Sequence, residues 1–228
     1  MKRSEIEAAI RRAKMTVKEQ GLYLPDFADW SMDEWRTRAP EADTVIRTMR
    51  GWDVTTFGHD RFDEMGAVLF TIRNGTPDGR YGCPYAEKLI LMREGQELPN
   101  HYHAVKTEDI INRGGGVLVI RVYNSLPDGS VDRNGDVRIL TDGMERTVPA
   151  GTDVEITHGN SMTIYPGLYH LFRAKQGCGD IIVGEVSSVN DDRTDNYFEV
   201  TRSRFIPVEE DTEITVPLCN EYGKLFGI

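Results

Sequence analysis

"PNHYHAVKTEDIINRGGG", residues 99–116, decides how this chain is read. The whole sequence holds five histidines, and two of them, His101 and His103, stand one residue apart here. Side chains alternate between the two faces of a strand, so this spacing presents both imidazoles to one side. On an inward face, buried imidazoles need polar partners, and one metal ion serves both. Glu108 follows after "AVKT", a span long enough to turn and return on a neighbouring strand. A carboxylate added to imidazoles makes a mixed donor set suited to Mn, Fe, Co, Ni or Zn. The plainer alternatives are satisfied core histidines and a solvated loop acid.

The rest of the sequence narrows the setting. Its 228 residues can bury a sizeable core, and 39% hydrophobic with 28% charged residues is ordinary for a globular chain. A formal net charge of −10 disfavours nucleic acid, whose binding relies on Lys and Arg against phosphates. No apolar run reaches the roughly 18 residues of a membrane span, and the basic N-terminus lacks the apolar segment of a secretory signal. The thiols of Cys83, Cys178 and Cys219 form no CxxC pair, which points to reduced, packed cysteines in a cytoplasmic protein.

Residues 4–20 carry apolar side chains at helical spacing (Ile6, Ala9, Ile10, Ala13, Val17), with Ser4 and Glu7 as a capping box and Gly21 as the stop. A second helix is expected from Ser31, capped with Glu34, to about Arg50. From Gly51 onward short β-rich runs alternate with turn signals such as "RNG", "LPDG" and "DRNGD". Strands are expected near 52–56, 67–73, 86–93, 98–103, 116–123, 137–140, 145–148, 153–156, 161–165, 168–174, 180–186 and 197–199. A strand and a short helix are expected in "EITVPLCNEYGKLFGI". The fold class is mainly β, with a helical segment at 1–50 packed on a barrel at 51–228.

Gly95, His101, His103, Glu108 and Gly115 resemble the first motif of the cupin superfamily at every spaced position. Gly159, Pro166, Gly167 and His170 in "GNSMTIYPGLYHLFRA" resemble the second. Tyr165 stands where that motif expects proline, and Ala174 where it expects asparagine; neither position is a ligand. The resemblance implies a single jelly-roll barrel with His101, His103, Glu108 and His170 around a divalent metal. His59 and His158 have no motif support and read as turn or surface residues.

A longer resemblance runs through "YLPDFADW", "GWDVTTFG", "YAEKLILMREGQ", "KTEDIINRGGG", "YPGLYH", "GEVSSVNDD" and "LCNEY", in this order. These are similar to the D-lyxose isomerase family of sugar isomerases. That family implies an aldose–ketose isomerase, manganese-dependent and homodimeric, interconverting D-lyxose and D-xylulose, with D-mannose and D-fructose as related substrates. Isomerisation then needs a Lewis acid for two sugar oxygens and groups that move a proton between C1 and C2. The candidates are Glu185, Lys88, Lys106 and Asp195. Glu185 is the preferred base, in a site whose apolar walls raise its pKa, with the two lysines on sugar oxygens. Both lysines also read as solvated ammoniums. Phe27, Trp30, Trp52 and Phe172 are candidates for stacking on the sugar, or core aromatics. A hydride shift, an Fe(II) dioxygenase, a phosphosugar isomerase and a sugar-binding cupin without turnover stand as the rival readings.

Overall fold

Residues 1–189 and 194–227 are described by a computed structural model; Asn190–Asp192 of the "GEVSSVNDD" stretch lie outside them. Helix α1 (Arg3–Glu19) buries Ile6, Ala9, Ile10, Ala13 and Val17 along one stripe. It starts two residues earlier than the Ser4 cap implied: Lys2 is the N-cap, and its N–H donates to Glu5 Oε2 at 2.9 Å. Ser4 and Glu7 serve tertiary contacts instead. Ser4 Oγ donates to Asp211 Oδ2 at 2.7 Å, and Glu7 Oε1 accepts the Thr215 N–H at 2.7 Å. Arg3, fully buried, completes this tie by pairing with Glu210 and Glu221.

The second helical stretch begins as expected, with Ser31 and Glu34 capping each other. It does not run to Arg50. It divides into α2 (Met32–Arg38) and α3 (Asp43–Arg47), because Pro40 has no N–H to continue the ladder.

Fourteen strands follow among the described residues: β1 (Gly51–Thr55), β2 (Ala67–Gly75), β3 (Gly82–Met92), β4 (Glu97–Tyr102), β5 (Glu108–Gly115), β6 (Leu118–Ser125), β7 (Val131–Asp132), β8 (Asp136–Thr141), β9 (Met144–Pro149), β10 (Asp153–Ile156), β11 (Ser161–Ile164), β12 (Leu168–Ala174), β13 (Ile181–Ser188) and β14 (Tyr197–Phe198). One antiparallel sheet has the order β1-β2-β3-β13-β5-β11-β8-β9 and the other β10-β6-β12-β4-β14, with β7 on β6. This is the jelly-roll barrel that the cupin resemblance implied.

Strand alternation sorts the two faces. Ile181 and Val183 of β13, Ile90 and Met92 of β3 and Leu69 of β2 join the barrel core with Ile110, Ile120, Val122 and Phe172. Their neighbours Ile182, Leu89, Leu91, Val68 and Phe70 point outward and pack against α1.

Two strand expectations fail. Glu108 was expected on a neighbouring strand, but β5 as a whole was not among the expected strands, nor was the two-residue β7. The run near 213–217 forms no strand; its Thr215 N–H goes to Glu7 rather than to a ladder. The short terminal helix α4 (Tyr222–Phe226) is present. Cys219 is buried as expected, Cys83 only partly so, and Cys178 is exposed; all three are free thiols. No helix of the described residues is long and apolar enough to cross a membrane.

The triple glycine has a steric reason. Between Ile182 and Val183 the β13–β5 register slips, and β5 closes tightly on the chain entering β13. Gly115 has φ +85°, and a Cβ there would stand 2.1 Å from the Asp180 carbonyl oxygen. Both effects exclude a side chain. Gly115→Ala should therefore lower unfolding free energy by at least about 2 kcal/mol, read by denaturant titration. A change under about 0.5 kcal/mol would contradict the tight closure.

Candidate metal centre and active site

β4 and β12 lie side by side with His101 opposite His170. His103 follows just past the end of β4, and Glu108 opens β5. The three imidazoles therefore come from two adjacent strands and face inward together. Their ring centroids are 4.1, 5.0 and 5.3 Å apart, and one ring nitrogen of each lies within 4.8 Å of the others. All three rings and Glu108 are buried.

The hydrogen bonds fix the tautomers. Nδ1 of His101 meets the Pro99 carbonyl at 2.9 Å, Nδ1 of His103 the Asp195 carbonyl at 2.6 Å, and Nδ1 of His170 the Leu168 carbonyl at 3.0 Å. A carbonyl only accepts, so each Nδ1 carries the proton and each Nε2 is left with its lone pair. Nε2 of His103 and of His170 is buried without a hydrogen-bond partner among the described residues, and the two lie 3.6 and 3.3 Å from Glu108 Oε1. Lone pairs facing a carboxylate in a dry interior are unfavourable unless a cation sits between them. The residues present therefore fit a divalent metal, with His101, His103, His170 and Glu108 as its holders.

The charges agree with this. Burial, reinforced by His170 and His103, pushes His101 well below the ordinary imidazole value of 6.5. Burial likewise lowers His170, against the pull of Glu108. Burial works against the Glu108 carboxylate, but Lys106, and then His103, hold its pKa well below the ordinary 4.5.

Next to the histidines lies a buried charged chain. Lys106 Nζ is 2.6 Å from Glu108 Oε2 and 3.2 Å from Glu185 Oε1. Lys88 Nζ reaches the same Glu185 oxygen at 3.2 Å, and Ser187 Oγ donates to it at 3.1 Å. Lys88 and Glu185 are direct cross-strand partners on β3 and β13, which puts them on one inner face. Both lysines are buried (6% and 3% exposed), so neither is a solvated surface ammonium. The surroundings of Glu185 are correspondingly polar, not the apolar walls expected from the sequence.

Asp195 is beside the site in a different capacity. Its carboxylate accepts the backbone N–H groups of Ala104, Val105 and Lys106 at 2.8, 3.2 and 3.0 Å. With its carbonyl on His103, it braces the turn that carries His103, Lys106 and Glu108.

Of the four candidate aromatics, only Phe172 is near the histidines, 5.1 Å from the His170 ring. Phe27 and Trp52 lie in the core between the sheet's outer face and α1, and Trp30 packs against Phe27 and Trp35. The outward alternation of Trp52 on β1 and the helical packing of the other two direct them away from the barrel interior. Phe198, missed in the sequence, stands 5.5 Å from His101 as its cross-strand partner on β14. Ser187 was also missed, although its spacing two residues after Glu185 marks the same face. His158 is exposed and His59 partly exposed, both away from the centre.

The family model described as D-lyxose isomerase matches residues 1–222. The chain is 40% identical over 224 residues to the D-lyxose/D-mannose isomerase of Escherichia coli O157:H7, covering 97% of this chain and 98% of that one. It is 41% identical over 226 residues to the enzyme of the same name from Serratia proteamaculans, with the same coverage. Among solved structures, the L-ribose isomerase of Cellulomonas parahominis with L-ribose superposes with a TM-score of 0.53. At 14% identity over 87% of this chain and 93% of the other, this shared outline is one of fold.

Two outcomes are expected. His101→Ala or His170→Ala should abolish stoichiometric Mn²⁺ uptake measured by elemental analysis, and full occupancy in both variants would contradict the ligand set. In metal-free protein the unfolded imidazoles protonate near 6.5, whereas buried His101 and His170 resist protonation. The unfolded state then binds more protons, so stability is kept above pH 6.5 and lost as pH falls below it. Chelator-treated protein titrated with urea should show that slope between roughly pH 6.5 and 5; a flat profile there would contradict it.

Proposed function

This chain belongs to the D-lyxose isomerase family, and from that premise we propose that it is a metal-dependent aldose–ketose isomerase. Its proposed reactions are D-lyxose with D-xylulose and D-mannose with D-fructose, on free sugars. The observation that carries the proposal is a cluster of three buried histidines beside Glu108, linked through Lys106 to a buried carboxylate clamped by two ammoniums. A binding protein would not need those charges buried beside the donors, since burying them is costly.

A divalent metal held by His101, His103, Glu108 and His170 supplies a Lewis acid for the two sugar oxygens. Manganese is the proposed metal, in line with the family resemblance; a set of three imidazoles and one carboxylate also accepts Fe, Co, Ni or Zn. Glu185 takes the proton from C2 of the aldose and returns it to C1, while the hydroxyl proton of O2 passes to O1 and the carbonyl moves from C1 to C2. Ser187, Lys88 and Lys106 converge on Glu185 Oε1, which anchors that oxygen, and Oε2 is the one proposed to meet carbon. Lys106 also touches Glu108, and its proposed role is to stabilise the negative charge that develops on the sugar oxygens in the enediolate. Lys88 extends the same positive edge further along β3. Asp195 acts as a positioning residue for the turn that holds His103, Lys106 and Glu108. The proposed setting is a homodimer in the reducing cytoplasm.

Glu185→Gln keeps the size of the side chain and removes the base. Metal content should stay at the wild-type level, while turnover of D-lyxose falls by about 10² to 10⁴. Solvent deuterium should enter the product with wild-type enzyme and fall in step in the variant. Turnover without any deuterium incorporation would favour a hydride shift. Near-normal turnover of the variant would remove Glu185 from the mechanism. Faster turnover of D-lyxose 5-phosphate than of D-lyxose would overturn the assignment to free sugars.

A further inference from the structure

Asp53 and Arg204 are buried charged groups that the metal-assisted chemistry does not use. Asp53 stands on β1, on the inner face shared with Leu69, and is 4% exposed. Its Oδ1 accepts the Val54 N–H at 2.9 Å, and its Oδ2 lies 2.6 Å from Arg204 Nη1. The segment carrying Arg204 is pinned across the end of the sheet, with Thr55 Oγ1 donating to the Arg204 carbonyl at 2.8 Å. Beside this pair opens a cavity of about 150 Å³, lined among others by Asp53, Thr71, Lys88, Asn74 and Arg204. Lys88 belongs to both places. Thr71 is its cross-strand partner on one side and Glu185 on the other. The cavity therefore adjoins the Lys88–Glu185 pair, with Lys88 as the side chain common to both.

Its size and chemistry point to one class of ligand. A partly open volume near 150 Å³ holds a group about the size of benzene, which is ample for the three far carbons of a pentose. Its polar lining mixes donors and acceptors: a guanidinium, an ammonium, a hydroxyl, an amide and a carboxylate. That mixture suits vicinal hydroxyl groups, each of which donates and accepts. It does not suit a phosphate. The Asp53 carboxylate would face a dianion, and the lining cations already meet carboxylates: Lys88 with Glu185, Arg204 with Asp53, and Arg47 with Asp43.

We infer that the Asp53–Arg204 pair is the subsite for the far end of the sugar, binding the C4 and C5 hydroxyls and rejecting a phosphate there. The inference rests on the isomerase reading above and assigns these two side chains as specificity determinants, not as catalytic residues. A site built to bond a hydroxyl discriminates against the analogue lacking it, because its buried groups are then left unmatched.

The test is a cycle between enzyme and substrate. D-Lyxose and 5-deoxy-D-lyxose are compared as substrates of wild-type enzyme, Asp53→Asn and Arg204→Lys, all manganese-loaded and matched for metal content. In the wild type, loss of the hydroxyl should lower kcat/KM by about 10- to 100-fold. In the variants D-lyxose should lose a similar factor, mostly through KM, and the deoxygenation penalty should shrink towards unity. The ratio of penalties cancels differences in ring form between the two sugars. An unchanged penalty in both variants would overturn the subsite while leaving the isomerase reading intact. Absence of aldose turnover in the wild type would instead strike the isomerase reading itself. Should Asp53→Asn fail to fold, Arg204→Lys alone decides the question.

Discussion

The polar centre of this molecule depends on where three imidazole protons sit. Each Nδ1–H of His101, His103 and His170 is committed to a backbone carbonyl. The opposite nitrogen of each ring thereby becomes an acceptor facing inward. A hydrogen-bonded Nδ1 orients the ring, selects its tautomer and makes Nε2 more basic. The cost of gathering acceptors in a dry space is offset only by a cation, so the fold makes sense as the scaffold of a metal centre. The charged neighbours extend that logic outward. Glu108 meets Lys106, Lys106 meets Glu185, and Glu185 meets Lys88, so that each buried charge has an opposite one in contact.

The sheet arrangement supplies this order by simple alternation. On β3 and β13 the residues facing the barrel change from apolar to charged along the strand. Ile90 and Val183 lie in the core, and one pleat further on Lys88 and Glu185 face each other. The outer faces of the same strands are apolar and covered by α1. A two-residue period thus separates a structural face from a chemical one, and a slip by one residue would exchange them. The bulge between Ile182 and Val183 and the glycines of β5 hold the register against such a slip.

What the sequence disclosed follows the same physics. The histidine pair was legible because alternation needs no knowledge of the fold, and His170 because a second motif carried it. Glu185 was legible as a candidate base, but not by its face, since both alternating sets of "DIIVGEV" carry apolar residues. Other features depend on distant partners that a local pattern does not contain. Lysines look alike in sequence whether buried or solvated; Lys88 and Lys106 meet in Glu185 a shared carboxylate 97 and 79 residues away, which no local pattern shows. β5 was hidden by its glycines, which are there for the close approach of Asp180. Phe27, Trp30 and Trp52 were attractive as sugar platforms because aromatic composition says nothing about the side of the sheet. Asp53 and Arg204 are separated by most of the chain and were invisible for that reason.

The central claim is that three imidazoles and Glu108 hold one metal ion through the inward nitrogens. Pulsed electron paramagnetic resonance on the Mn²⁺-loaded protein tests it most directly, because each bound imidazole nitrogen contributes its own hyperfine coupling. The account predicts couplings from three directly bound imidazoles, falling to two in His101→Gln. Couplings from only one imidazole, or from none, would contradict it.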